Sequence, residues 1–117
     1  MAGMASDCLF CRIVAGTIPA NFVYEDELCV AFADINPQAR VHVLIVPREH
    51  LVSIAYAVPK HTALLGHLMA TAAEVARRQH LQGGYRIVVN TGAEGGQTVE
   101  HLHLHLLGGR HMGWPPG

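Results

Sequence analysis

His101-Leu102-His103-Leu104-His105-Leu106-Leu107 alternates polar and apolar residues with the two-residue period of a β-strand. No other segment constrains the fold as tightly. The leucines of such a strand need a core on their side, and the three imidazoles share the opposite face. A strand that merely met solvent would carry Thr, Ser, Lys or Glu there. Three groups that titrate near neutral pH on one small surface point to chemistry instead: a metal centre, an acid–base or nucleophilic histidine, or both.

The remaining segments supply the partners for that strand. Residues 8–15 read as a short helix capped by Ser6 or Asp7 and ended by Gly16. Phe22–Tyr24 and Leu28–Phe32 read as strands joined by the polar turn Glu25-Asp26-Glu27, and 34–38 as a loop. Val41–Val46, apolar except for His42, reads as a central strand ended by Pro47. Pro59 opens the one long helix, roughly Lys60–Gln79. Its stripe of Leu64, Leu65, Leu68, Met69, Ala72, Val75 and Ala76 should pack on the sheet. His61, His67 and His80 read as surface residues. Tyr85–Asn90 is a further strand, and the glycine-rich loop 92–97 feeds the histidine strand. The pattern predicts one α+β domain over residues 1–117: an antiparallel sheet of about five strands, with one short and one long helix mainly on one face. Residues 1–6 are expected to be a flexible N-terminus, and 108–117 a C-terminal tail.

Half of the 117 residues are hydrophobic and only 15% are charged, so the chain is not a disordered one, and it is expected to cover an apolar patch by forming a homodimer. A net charge of −1 with no Lys/Arg run gives no case for nucleic acid. The N-terminus lacks the basic and apolar regions of a signal peptide, and no apolar run approaches the roughly 20 residues that span a bilayer. Three cysteines, an odd number, argue against a disulfide framework and for a cytoplasmic setting.

Cys8 and Cys11 have CxxC spacing, which lets two thiolates reach one ion. The missing ligands would be distant histidines, with His50 and His101 as candidates. Otherwise both cysteines are small core residues, as Cys29 is expected to be. A catalytic zinc held by His101 and His103 is a separate possibility, weakened because alternation turns the nearby carboxylate of Glu100 to the other face. As a third reading, His103 is a nucleophile flanked by His101 and His105. The loop before it offers Gln97 and Thr98 as donors to phosphate oxygens.

The run His101–Leu107 resembles the His-φ-His-φ-His-φ-φ signature (φ apolar) of the histidine-triad, or HIT, superfamily. Gly96-Gln97-Thr98-Val99-Glu100, the segments 34–39, 41–50 and 84–90, and the ending 107–117 are similar to that family in the same order. The tail resembles the histidine triad nucleotide-binding branch. The resemblance implies a HIT-like fold and a homodimeric hydrolase of P–N bonds in purine nucleoside 5′-phosphoramidates, such as adenosine phosphoramidate or adenylated lysine. By position, His103 is the nucleophile that becomes nucleotidylated, His105 assists at the α-phosphate, and His42 joins them. Asp34 takes the ribose hydroxyls, and Phe10, Phe32 and Ile35 wall the base slot. Asn90, Gly96, Gln97 and Thr98 surround the phosphate and leaving group, and Trp114 reaches the partner subunit's site. Zinc-carrying members imply a structural Zn2+ on Cys8, Cys11, His50 and His101. The chain departs from the branch in having Thr98 where Ser is usual, and in joining a CxxC to the Trp114-Pro115-Pro116-Gly117 ending. A zinc-dependent hydrolase and a nucleotide-binding module with vestigial activity are the alternatives.

Overall fold

In the computed structural model, which describes residues 7–117, the apolar run Val41–Pro47 forms the central strand β3, buried along its whole length. Before it come a short helix α1 (Leu9–Val14) and strands β1 (Phe22–Glu25) and β2 (Cys29–Ala33); after it come α2 (Thr62–Arg78), β4 (Tyr85–Val88) and β5 (Leu104–Gly108). The five strands make one antiparallel sheet in the order β1-β2-β3-β5-β4. The expected flexible segment 1–6 lies outside the described residues.

Alternation along β3 divides the core in two. Val41, Val43 and Ile45 join Leu68, Ala72 and Val75 of α2 and the leucines Leu102, Leu104 and Leu106. Leu44 and Val46 point the other way, onto Phe10 and Ile13 of α1 with Val30 and Phe32. The helices therefore cover both faces, not mainly one. A six-residue helix shows too little periodicity to reveal its packing side. Buried on both faces, β3 must be apolar throughout, and His42 is its one polar exception.

The histidine segment is only partly a strand. Its ladder with β3 begins at the pair Ile45↔Leu104, and His101, Leu102 and His103 precede it. The reason is Pro47, which has no N–H to donate and ends the pairing. The Leu102 N–H instead bonds the Leu51 carbonyl at 2.6 Å, and the His101 ring takes the Pro47 carbonyl at 2.8 Å. The alternation still holds through this stretch, with the leucines in the α2 core and the imidazoles on the α1 side. At β4 the strand stops at Val88, short of Asn90.

Two histidines near α2 are not the surface residues expected. Before α2 the chain makes a 3-10 turn, Pro59–His61, in which buried His61 accepts the Val58 N–H on Nδ1 and bonds Glu49 through Nε2. His67 donates from Nε2 to Asp26 Oδ2 at 2.7 Å. His80, exposed, is as expected. Cys29 is a fully buried core thiol. Among the described residues no helix is long and apolar enough to cross a membrane.

Asp26 makes the β1–β2 turn a fixed joint. Its Oδ1 accepts the N–H groups of Leu28 and Cys29 at 2.8 and 2.9 Å, and its Oδ2 accepts the Tyr24 hydroxyl besides His67. Burial alone would raise its pKa, but these four donors outweigh burial and hold the carboxyl well below the usual carboxylate range. A carboxylate depressed by folding adds stability above its unfolded pKa of about 4 and loses it as pH falls below that value. Asp26→Asn is therefore expected to lower stability by about 2 kcal/mol at neutral pH, and the gap from the native chain should shrink below about pH 4. Urea midpoints measured across pH check both.

Candidate active site and metal cluster

His103 enters the site already committed at one ring nitrogen. Its Nδ1 lies 2.7 Å from the His101 carbonyl, an acceptor, so Nδ1 carries the proton and donates it. The neutral ring then keeps its lone pair on Nε2. His103 is buried, with the Phe10 ring edge-on at 5.0 Å and His105 at 5.0 Å.

A second chain of bonds fixes the tautomers of its neighbours. The Gln38 N–H donates to His42 Nδ1 at 3.1 Å, so the proton of His42 sits on Nε2. That N–H donates to His105 Nδ1 at 2.9 Å, which leaves His105 with its proton on Nε2. Asp34 places Oδ2 3.5 Å from His42 Nε2, while its Oδ1 accepts the Asn36 N–H and shapes the loop after β2. One imidazole with a free lone pair thus stands beside another with a free N–H. Burial lowers the pKa of His42 against the pull of Asp34. Burial lowers that of His103 too, against its bond to the His101 carbonyl. Burial, then the nearby His103 and His42, push His105 down to about 4. All three are neutral at pH 7.

Next to them, Cys8, Cys11, His50 and His101 converge. Their Sγ and Nδ1 atoms all lie within 4.8 Å of one another. The sulfur–nitrogen separations are 3.2 Å (Cys8–His101), 3.3 Å (Cys11–His50) and 3.5 Å (Cys11–His101), and His50 and His101 approach to 3.2 Å. A zinc tetrahedron with bonds of about 2.3 Å to sulfur and about 2.0 Å to nitrogen needs about 3.5 and 3.3 Å, so the four donors fit zinc. His101 Nε2 donates to the Pro47 carbonyl, which leaves Nδ1 as the coordinating atom. Burial and the adjacent Cys8 sulfur push the Cys11 thiol up to about 11, a strain that a cation among the sulfurs relieves. The HxH pair does not form a centre of its own. His101 belongs to the Cys/His cluster, and His103 joins no metal-competent group with it among the described residues.

Other expected residues are distributed unevenly. Phe10 and Phe32 are buried and meet edge-to-face at 5.6 Å, whereas Ile35 is wholly exposed. Gln97 is a strut: its Nε2 donates to the carbonyls of Val52 and Val99, and its Oε1 accepts the Gly92 N–H, so its amide is engaged by backbone. Asn90 Nδ2 donates to the Gly95 carbonyl across the same loop, where Gly96 holds φ +82°. Thr98 is exposed and lines a cleft of about 510 Å3 with His50, Val52 and Glu100. Trp114 is 85% exposed. Two groups that sequence reading missed, the Gln38 N–H and the Pro47 carbonyl, belong to the backbone and leave no side-chain signal.

The family model described as "HIT domain" matches residues 15–112. An uncharacterized HIT-like protein of Synechococcus elongatus is 52% identical over 114 residues, covering 97% of this chain and 100% of that one. The "14 kDa zinc-binding protein" of Zea mays is 48% identical, covering 96% of this chain and 89% of its own. The crystal structure of a HIT family hydrolase from Legionella pneumophila superposes with a TM-score of 0.93 at 47% identity. That match covers 95% of this chain and 100% of the other.

If Gln97 is a strut, Gln97→Ala takes the donor from the part-buried carbonyls of Val52 and Val99 and is expected to cost about 2 kcal/mol in stability. Thr98→Ala, at an exposed position, should stay within about 0.5 kcal/mol of native. Thermal unfolding of the two variants side by side checks the contrast.

Proposed function

The chain belongs to the HIT domain family, and from that premise we propose that it is a hydrolase of purine nucleoside 5′-phosphoramidates working through a nucleotidyl-His103 intermediate. The observation that carries this reading is the 2.7 Å bond that holds the His103 proton on Nδ1 and frees Nε2 to attack. Nε2 forms a bond to the α-phosphorus as the P–N bond breaks, and its electron pair leaves with the amine. His105, its Nδ1 engaged by His42, has an Nε2–H with which to stabilise the phosphate oxygens, and the departing amine takes its proton from solvent. Water then attacks phosphorus as the His103 Nε2–P bond breaks, gives one proton back to solvent to replace the one the amine took, and leaves the nucleoside monophosphate and His103 in its starting form. Asp34 is assigned to the ribose hydroxyls, Phe32 with Ile35 to the base, and the loop of Asn90, Gly96, Gln97 and Thr98 to the phosphate end.

Cys8, Cys11, His50 and His101 would hold a zinc ion whose chemistry is structural: it ties α1 to the end of β3 and to the histidine segment. The fit of the four donors and the zinc-binding maize relative support this assignment. A homodimer is also part of the reading. Edge strand β4 with exposed Tyr85 and the exposed Trp114 are surfaces a second copy would cover. All three cysteines are free thiols, in keeping with a cytoplasmic setting. No role for nucleic acid or a membrane is proposed.

The test is release of AMP from adenosine 5′-phosphoramidate, with His103→Ala expected to lower the rate by about a thousandfold or more while remaining folded. Unimpaired turnover in His103→Ala would remove the proposed nucleophile. Because burial holds the triad neutral, kcat/KM should persist below the ordinary histidine pKa of about 6.5 and fall only in more acid solution. A fall centred above that value contradicts the buried cluster. Protein prepared without added metal is expected to carry about one zinc per chain, measured by elemental analysis. Chelation should lower the melting temperature, whereas a catalytic zinc would lose activity with melting unchanged.

A further inference from the structure

Phe10 occupies an unusual place between the two halves of the site. It lies between the cysteines of the CxxC, in a turn that the Cys11 N–H closes by donating to Cys8 Sγ at 3.3 Å. Its ring is 4% exposed and meets three others: His103 at 5.0 Å and 86°, His101 at 6.0 Å and 64°, and Phe32 at 5.6 Å and 79°. The bond from His103 Nδ1 to the His101 carbonyl fixes one edge of the nucleophile's ring but leaves rotation about that contact open. Phe10 and His105 are the rings that close it off.

We propose that Phe10 is a positioning residue that holds the His103 ring in its attacking orientation, and that the Cys/His cluster sets this alignment by fixing Phe10 at both ends. The cluster then reaches the nucleophile by two routes: through the ring of Phe10, and through His101, whose side chain belongs to the cluster and whose carbonyl holds the His103 proton. This rests on His103 being the nucleophile. It differs from a role for Phe10 as a wall of the base slot, because a wall acts on substrate binding and a positioning ring acts on the bonded step. A misplacement near 1 Å at a reacting atom costs about a hundredfold in rate.

Phe10→Leu keeps an apolar group of similar size and removes the flat edge. It is expected to lower kcat on adenosine 5′-phosphoramidate by about tenfold to a hundredfold, with KM changed less than about twofold and zinc content as in the native chain. A raised KM with kcat unchanged would overturn the proposal in favour of a base-slot wall. Loss of zinc would overturn it in favour of a role in building the cluster. Two NMR measurements need no turnover and so stand apart from the phosphoramidase reading. In the native protein, contacts between Phe10 and His103 ring protons are expected, and their absence sinks the proposal even if Phe10→Leu does not fold. In folded Phe10→Leu, the His103 Nδ1 proton should exchange with water about tenfold faster or more. Unchanged exchange contradicts a positioning role. Should the native chain fail to turn over any phosphoramidate while both NMR results hold, the reaction class falls and the positioning of His103 stands.

Discussion

Much of this site depends on three commitments made by a single residue, His101. Its Nε2 donates to the Pro47 carbonyl, its Nδ1 is left facing two thiols and a second imidazole, and its own carbonyl takes the proton of His103. Each commitment decides the next. The Pro47 carbonyl lies where the β3–β5 ladder has ended, so it needs a donor, and a buried unpaired carbonyl would cost about 1–3 kcal/mol. Supplying that donor from Nε2 fixes the His101 tautomer and defines which nitrogen can bind metal. Holding the backbone there places the carbonyl that fixes the tautomer of His103. A strand end, a cluster of donors that fits a metal ion and the proposed nucleophile are thus joined in one short segment.

The two faces of the sheet divide the work. On the α2 side, leucines of the histidine segment pack with β3 and the long helix in an apolar core that needs no polar partner. On the α1 side, the same segment presents its imidazoles to Phe10, His42 and the cysteines. Burial there keeps the rings uncharged, and backbone groups at Gln38, Pro47 and His101 choose which nitrogen of each carries its proton. The sheet supplies orientation, and neutral histidines supply the lone pairs.

Much of this was legible in the residues because period-two alternation carries direct information about faces. The separation of Leu102, Leu104 and Leu106 from the histidines follows from it, and the central place of Val41–Val46 follows from its nearly unbroken apolar run. The convergence of Cys8 and Cys11 with His50 and His101 was within reach through CxxC spacing and family likeness. What escaped was set by single atoms or by length. The ladder starts late because Pro47 lacks an N–H. Six-residue α1 gives too few turns to say which face it covers. His61 and His67 look like solvent residues on a helix, yet Glu49 and Asp26, 12 and 41 positions away, engage them. Gln97 is engaged by carbonyls that no pattern marks.

Catalysis as proposed turns on a covalent bond from His103 Nε2 to phosphorus. The most direct measurement is rapid mixing of the native protein with excess adenosine 5′-phosphoramidate, a quench within one turnover, and mass mapping of the adduct. A nucleotidyl group is expected on the peptide containing residues 101–105, assigned to His103, appearing before free AMP and decaying as AMP is released. An adduct on another residue, or AMP formed at full rate with no adduct at any time, would contradict it.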